Sequence, residues 1–194
     1  MDSAAKRWLG TFMETVQTHE TSIALREAAA SGDLKRWTEA LTRIVVGTFP
    51  KMGWRGAARG HRSDLLPVPR AEYMELDVVA FETAGDRRWR FPVGVFELEN
   101  SPVDDLVAYS LWKILCVRAS LRVVFCYRRN AGEGSELVRH LADQVIQAME
   151  IPTRAGLGGE TIVIVGSRSE TTTFPYGFFK DWTLDTNTAS FRRN

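Results

Sequence analysis

The sequence predicts a single α/β domain in which a central mixed β-sheet is flanked by helices. Segments with helical spacing of apolar residues alternate with short runs of β-branched and aromatic residues. The chain has 194 residues, 44% of them hydrophobic, which is enough to bury one sizeable core. No internal repeat or linker divides it, so the predicted domain spans residues 1–194.

Two helices are predicted ahead of the sheet. Residues 4–30 are rich in Ala, Leu and Glu and contain little Gly or Pro, which favours a first helix. Ser31 or Asp33 can cap a second helix, whose apolar residues recur at helical spacing over 34–48.

The next segment, residues 49–70, predicts a loop because glycines and prolines interrupt it. It is also locally basic, although the whole chain carries a net charge of only +1. A net charge this small excludes a positive electrostatic potential over the whole molecule, but this segment remains a candidate phosphate-binding surface. An ordinary solvated loop is the equal alternative, and a short helix would place the three arginines on one face. The candidate nucleic-acid-binding residues are Lys51, Arg55, Arg59 and Arg62, beside an aromatic residue expected to be exposed, Trp54.

A β-hairpin is predicted next, with strands over 73–82 and 89–99 and a turn at Gly85-Asp86. Alternation along the first strand places Glu75, Asp77 and Val79 on one face.

A helix over 100–120 follows, with Asn100 or Ser101 as its cap and with Asp104 and Asp105 at the positive end of its dipole.

The second half continues strand, helix, strand. Residues 121–128 and 161–167 read as buried strands on either side of an amphipathic helix over 135–150. The β-α-β-α-β order predicts parallel strands with right-handed connections. The tail, residues 170–194, is expected to add an edge strand.

The remaining composition favours a cytoplasmic protein without a membrane segment. Cys116 and Cys126 lack metal-ligand spacing and are expected to be buried free thiols in a reducing compartment. The N-terminus lacks the apolar core of a signal peptide, and no apolar run approaches the roughly 20 residues that span a bilayer. His19, His61 and His140 are scattered and form no pair with ligand spacing.

Carboxylates concentrate at one end of the predicted hairpin. If the hairpin is symmetric about residue 87, Asp77 lies opposite Glu97, and Glu99 has the same facing as Glu97. Like charges this close destabilise one another unless a cation neutralises them, and Mg²⁺ or Mn²⁺ prefers such oxygen ligands. A solvated strand end is the alternative for these acids.

The pattern of Asp77, nineteen intervening residues and then Glu97-Leu98-Glu99 resembles the PD-(D/E)XK nuclease superfamily. The order of elements over about 34–166 is also similar to the restriction-endonuclease-like core of that family, here with an extra N-terminal helix. The proline before the aspartate is replaced by Leu76, and the usual lysine by Glu99.

The resemblance implies a role for each candidate residue. Asp77 and Glu97 would bind Mg²⁺ or Mn²⁺ with help from the Leu98 carbonyl, and Glu99 or Lys113 of the following helix would act on the attacking water. Glu39 matches a position where the family often carries an accessory acid. The implied function is metal-dependent hydrolysis of phosphodiester bonds, in DNA rather than RNA, by a homodimer or with a partner protein.

Two other classes stay open. The same fold can be a catalytically inactive module that binds nucleic acid or protein, in which case Glu99 marks the loss of the lysine. Paired carboxylates also occur in glycosidases, but the sequence lacks an evident aromatic sugar platform.

Overall fold

The computed structural model describes residues 3–18, 20, 22–85 and 88–194. Three helices precede the sheet: α1 (Ala4–Thr18), α2 (Ser22–Ser31) and α3 (Leu34–Met52). The helix predicted over 4–30 is therefore two helices. Asp33 caps α3 as expected, since its Oδ1 accepts a hydrogen bond of 3.0 Å from the Arg36 backbone N–H.

The sheet contains seven strands within the described residues. Their bounds are β1 (Trp54–Ala58), β2 (Val78–Glu82), β3 (Gly94–Leu98), β4 (Leu121–Arg128), β5 (Glu160–Ser167), β6 (Phe179–Asp185) and β7 (Ser190–Arg193). The other helices are α4 (Asp104–Leu115), α5 (Ala131–Leu141), which continues into a π-helical turn over Ala142–Ile146, α6 (Ile151–Ala155) and a 3₁₀ helix over Arg168–Thr173.

The strands lie in the sheet in the order in which they occur in the chain, from β1 to β7. β3, β4 and β5 are parallel, as predicted, and the other neighbouring pairs are antiparallel. The predicted mixed sheet is therefore confirmed. The C-terminal tail contributes two strands, and β7 rather than β6 forms the edge.

The loop predicted over 49–70 is wrong at its start, because α3 continues to Met52 and β1 follows directly. Gly56 is a packing residue in this strand. A Cβ atom there would lie 2.2 Å from Cε2 of Phe49, so only glycine lets α3 pack this closely on β1. The short-helix alternative for the three arginines is also excluded, since Arg55 lies in a strand.

The hairpin strands are shorter than predicted. Met74 and Glu75 adopt left-handed backbone angles, with φ of 57° and 56°, which end any extended conformation before β2 begins at Val78. Asp86 of the predicted turn lies outside the described residues.

Helix α4 begins later than predicted, with Val103 at its N-cap position, so neither Asn100 nor Ser101 is the cap. The Ser101 hydroxyl instead accepts from the Val103 backbone N–H at 3.1 Å, in the turn that precedes the helix. Asp104 and Asp105 lie in its first turn, as expected.

Two apolar layers hold the helices on opposite faces of the sheet. Helices α1, α2 and α3 cover one face around Trp8, Phe12 and Phe96, while α4 and α5 cover the other around Leu111 and Val124. β3 therefore lies between both layers, and its residues alternate between them.

The two cysteines differ in environment. Cys126 is buried in β4, where desolvation raises the pKa of its thiol to about 12, but Cys116 is exposed after α4. The expectation of two buried thiols is thus wrong for Cys116. None of the helices in the described part of the chain combines the length and apolarity needed to cross a membrane.

Candidate functional site

Asp77 and Glu97 meet where β2 begins and β3 ends. The antiparallel register pairs Val78 with Phe96, so one further step along the ladder sets Asp77 beside Glu97, as the symmetric hairpin predicts. The Asp77 Oδ2 accepts a hydrogen bond of 2.8 Å from the Leu98 backbone N–H. This bond fixes one carboxylate oxygen of Asp77 against the end of β3.

Glu97 is a buried carboxylate with one engaged oxygen and one free oxygen. It is 3% exposed, and its Oε2 lies 2.8 Å from Nζ of Lys113. Its Oε1 is fully buried and has no hydrogen-bond partner within the described part of the chain. An orphaned acceptor at this depth costs free energy unless a ligand or water satisfies it, so Oε1 is the atom of this site most in need of a partner.

Burial raises the pKa of Glu97 from 4.5 to about 7, and the nearby Asp77 charge adds to that rise. The Lys113 ammonium group opposes it by hydrogen bonding and charge, and a hydrogen bond from the Asp77 backbone also lowers the pKa. The carboxyl group can therefore exchange a proton close to neutral pH, a property that clusters at functional sites.

Lys113 reaches the site from α4. Its Nζ donates to the Glu75 backbone carbonyl at 2.8 Å as well as to Glu97, and 21% of its side chain is exposed. The structure thus places Lys113 beside Glu97.

Glu99 is held apart from this pair. The strand ends at Leu98, and the Glu99 Oε1 accepts from the Ser101 backbone N–H at 2.8 Å in the turn before α4. The expected convergence of three carboxylates is wrong. Within the described ranges, no group of three or more His, Cys, Asp or Glu side chains is arranged to hold a metal ion.

A cleft of about 690 Å³ opens beside Asp77, between α3 and the β1–β2 connection. Glu39 lines it, so this predicted accessory acid does lie near the acidic pair. The wall also carries three cations and an imidazole that can face an anionic ligand: Lys35, Arg43, Arg59 and His61.

The basic residues predicted from the 51–70 segment divide into two groups. Arg59 lines the cleft, one residue beyond the Ala58–Val78 pair and hence beside Asp77. Arg55 pairs with Asp64 at 2.9 Å, and Arg62 is exposed outside the cleft lining. Lys51 pairs with Glu14 at 3.5 Å, near the opposite end of β1.

The aromatic residue expected beside them is not exposed. Trp54 is 7% exposed and packs against Phe49, at the end of β1 far from Asp77. It therefore cannot stack on a base as the sequence suggested.

His61, Lys35 and Arg43 were missed by reasoning from the sequence. His61 exchanges two backbone hydrogen bonds with Ala58, of 2.7 and 3.1 Å, across a turn in which Gly60 has φ of 80°. Reading Arg59-Gly60 as a tight turn after a strand would have placed His61 at the cleft. His140 pairs with Asp105 at 3.2 Å on the α4–α5 side, and His19 lies outside the described residues.

No family model matches the chain, and comparisons with curated proteins and with solved structures give no significant match.

Proposed function

We propose that the protein is a metal-dependent nuclease that hydrolyses phosphodiester bonds in nucleic acid, DNA in preference to RNA. The fold behind this proposal is a restriction-endonuclease-like core of the PD-(D/E)XK type. One observation carries it: Asp77, Glu97 and Lys113 meet at a single strand end, with Nζ of Lys113 at 2.8 Å from the Glu97 carboxylate. An acidic pair and a lysine at such a place are the residue types that this chemistry requires.

The residues fit Mg²⁺ or Mn²⁺ as the cofactor. Mg²⁺ in phosphate-transfer sites is bound by one or two carboxylates, and its other ligands are waters and substrate phosphates. Asp77 and Glu97 supply two carboxylates, and the unpartnered Oε1 of Glu97 is available as an oxygen ligand. When bound, the metal supplies charge stabilisation at the phosphate and acidifies a water.

The side chains themselves have distinct tasks in this proposal. Lys113 favours the charged form of the Glu97 carboxylate, against the burial that favours the protonated form, and is the donor best placed to orient the attacking water. Asp77 positions the end of β3 through its bond to the Leu98 N–H. Glu99 has a structural role, since its carboxylate accepts a hydrogen bond in the turn before α4.

The cleft beside Asp77 suits a phosphodiester chain. Lys35, Arg43 and Arg59 are cations that can contact successive phosphates while Asp77 faces the scissile one. A second copy or a partner protein would add the sequence-reading surface that a core of this size lacks. The cell interior is where such an enzyme would act.

A catalytically inactive binding module on the same fold is the second candidate. The observation that favours it is the lack of a three-ligand acidic group in the described part of the chain, together with the ion pair that already engages Glu97. The two candidates differ in whether metal binding leads to cleavage.

The deciding experiment combines metal titration with a cleavage assay on plasmid DNA, linear DNA and RNA. We expect Mn²⁺ to raise the melting temperature of the wild type and to support cleavage. Asp77→Asn keeps a hydrogen-bond acceptor for the Leu98 N–H but removes the charge, so it should lose the metal-dependent stabilisation and at least about 100-fold in cleavage rate. Asp143→Asn, an exposed acid on the π-helical turn, is the matched control and should behave as wild type.

Two outcomes contradict the nuclease. Metal binding that depends on Asp77 without any cleavage supports the binding module instead. Equal metal responses in wild type and Asp77→Asn would remove the metal site altogether.

A further inference from the structure

Arg122, the second residue of β4, is a buried arginine without an acidic partner. It is 3% exposed, and its Nε and Nη1 donate to the backbone carbonyls of Val117 and Gly158 at 3.0 and 2.8 Å. None of the ion pairs among the described residues includes it. Burial alone lowers the pKa of its guanidinium group, with no carboxylate to oppose that shift.

A second buried arginine shows what the usual arrangement is. Arg128 is 7% exposed, and its Nη2 lies 2.7 Å from Oδ1 of Asp104. A buried charge is expensive unless an opposite charge compensates it, so Arg128 is an ordinary structural ion pair. Arg122 lacks that compensation, although it lies in the same strand.

Arg122 lines a cleft of about 650 Å³ at the end of the parallel strands where β3, β4 and β5 begin. The lining contains a second cation, the exposed Arg118, and no aspartate or glutamate. Among the described residues the Arg122 Nη2 has no hydrogen-bond partner and is not one of the fully buried unpartnered atoms, so it retains some accessible surface in a residue that lines the cleft. Free guanidinium donors in an acid-free cleft match an anionic group.

Several apolar side chains also line this cleft. Phe91 is 83% exposed at the rim, and Leu115, Val117 and Leu157 form the sides. At Gly158 a Cβ atom would meet nothing within 4 Å, so a ligand has room to approach the backbone there. Pockets for small molecules combine such apolar walls with a few polar groups that fix orientation.

We propose that this cleft binds a small organic anion, whose phosphate or carboxylate group contacts Arg122 and Arg118 and whose aromatic or aliphatic body packs against Phe91 and Leu157. The site is independent of the proposed nuclease centre. The two clefts share no lining residue, and they open at opposite ends of β3.

Calorimetric titration of the full chain tests this site, with inorganic phosphate, phenyl phosphate, benzoate and neutral benzyl alcohol as probes. We expect saturable binding of phenyl phosphate or benzoate, about tenfold tighter than inorganic phosphate and absent for benzyl alcohol. Comparison of phenyl phosphate with benzoate identifies which anionic group the arginines select.

Variants assign the binding to the cleft. Arg118→Ala and Phe91→Ala change exposed side chains and should each weaken the preferred anion about tenfold. Arg122→Lys keeps a cation but loses the planar fork and should weaken it further. Arg139→Ala, an exposed arginine on α5, is the matched control and should bind as wild type.

The proposal is overturned if no anion binds saturably, or if Arg118→Ala and Phe91→Ala both bind with wild-type affinity. These two variants decide the matter even if Arg122→Lys fails to fold. Asp77→Asn should bind the anion normally, so a failed nuclease proposal and a failed anion site give different results.

Discussion

At the scale of single residues, Glu97 is the most informative group in the protein. It is almost fully buried yet retains one oxygen without a partner among the described residues, and the charges of an aspartate and a lysine shift its pKa in opposite directions. A carboxyl group in such a position is stable without a ligand mainly in its protonated form.

We expect this to appear as a pH dependence of stability. The pKa of Glu97 is raised from 4.5 to about 7 in the folded state, so the folded protein binds this proton more tightly than the unfolded chain does. The stabilisation from this group is therefore complete below about pH 4.5, declines as the pH rises and is lost above about pH 7. Glu97→Gln removes the decline and should be more stable than wild type at pH 8, by on the order of 3 kcal/mol in metal-free buffer.

Urea denaturation at intervals between pH 4.5 and 8 measures this effect. Glu99→Gln, which leaves Glu97 in place, should retain the wild-type decline. Parallel stability curves for wild type and Glu97→Gln would show that the buried carboxyl does not titrate in this range.

The sequence predicted that Asp77 and Glu97 lie together because antiparallel pairing about residue 87 relates the two acids. Helical rise along α4 could bring Lys113 level with the strand, but it did not determine whether this side chain faces Glu97 or solvent. Glu99 lies one residue past the end of β3, where alternation no longer determines which way a side chain points. The hydrogen bond to the Ser101 N–H, which no periodicity encodes, fixes its carboxylate instead.

At the scale of elements, β1 is the strand that the sequence did not predict. Its five residues include a glycine and are followed closely by Gly60, so they have the composition of a turn. The strand forms because tertiary contacts with β2 and α3 override that local signal. Residues of the cleft that follow β1, such as His61, could not be assigned without it.

Two glycine substitutions test whether α3 packs closely on β1. Gly56→Ala should destabilise the protein by about 1–3 kcal/mol, because the added methyl group collides with the Phe49 ring and the Val79 carbonyl oxygen. Gly10 lies in α1, and nothing is within 4 Å of the methyl group that Gly10→Ala adds. This substitution should therefore stabilise the protein by up to about 1 kcal/mol. Chemical denaturation followed by tryptophan fluorescence compares the two, and an equal effect of both would contradict the close packing of α3 on β1.

At the scale of the whole molecule, charge is nearly balanced. A net charge of +1 gives no general attraction for nucleic acid, so binding must depend on the local cations around the Asp77 cleft. The basic residues divide between the two ends of β1, so substituting one residue from each group tests whether DNA binding depends on the cleft.

We expect Arg59→Ala to weaken binding of a labelled DNA duplex in metal-free buffer and to reduce the salt dependence of the affinity by about one counterion. Lys51→Ala, which changes a cation paired with Glu14 away from the cleft, is the control and should leave both quantities unchanged. Fluorescence anisotropy at several salt concentrations measures both. Equal losses in the two variants would mean that DNA does not follow the cleft.

The sequential strand order also bears on how the chain assembles during synthesis. Each strand of the sheet can join a neighbour that has already left the ribosome, so strand pairing can proceed from the N-terminus onward. Helix α1 completes its contacts later. The Trp8 Nε1 donates to Thr48 of α3 and its ring packs against Phe96 of β3, but the Ala5 backbone N–H donates to Glu160 of β5 and the Phe12 ring packs against Phe179 of β6. A nascent or truncated chain that stops before β5 must therefore leave part of the apolar face of α1 uncovered, which makes such fragments natural substrates for chaperones.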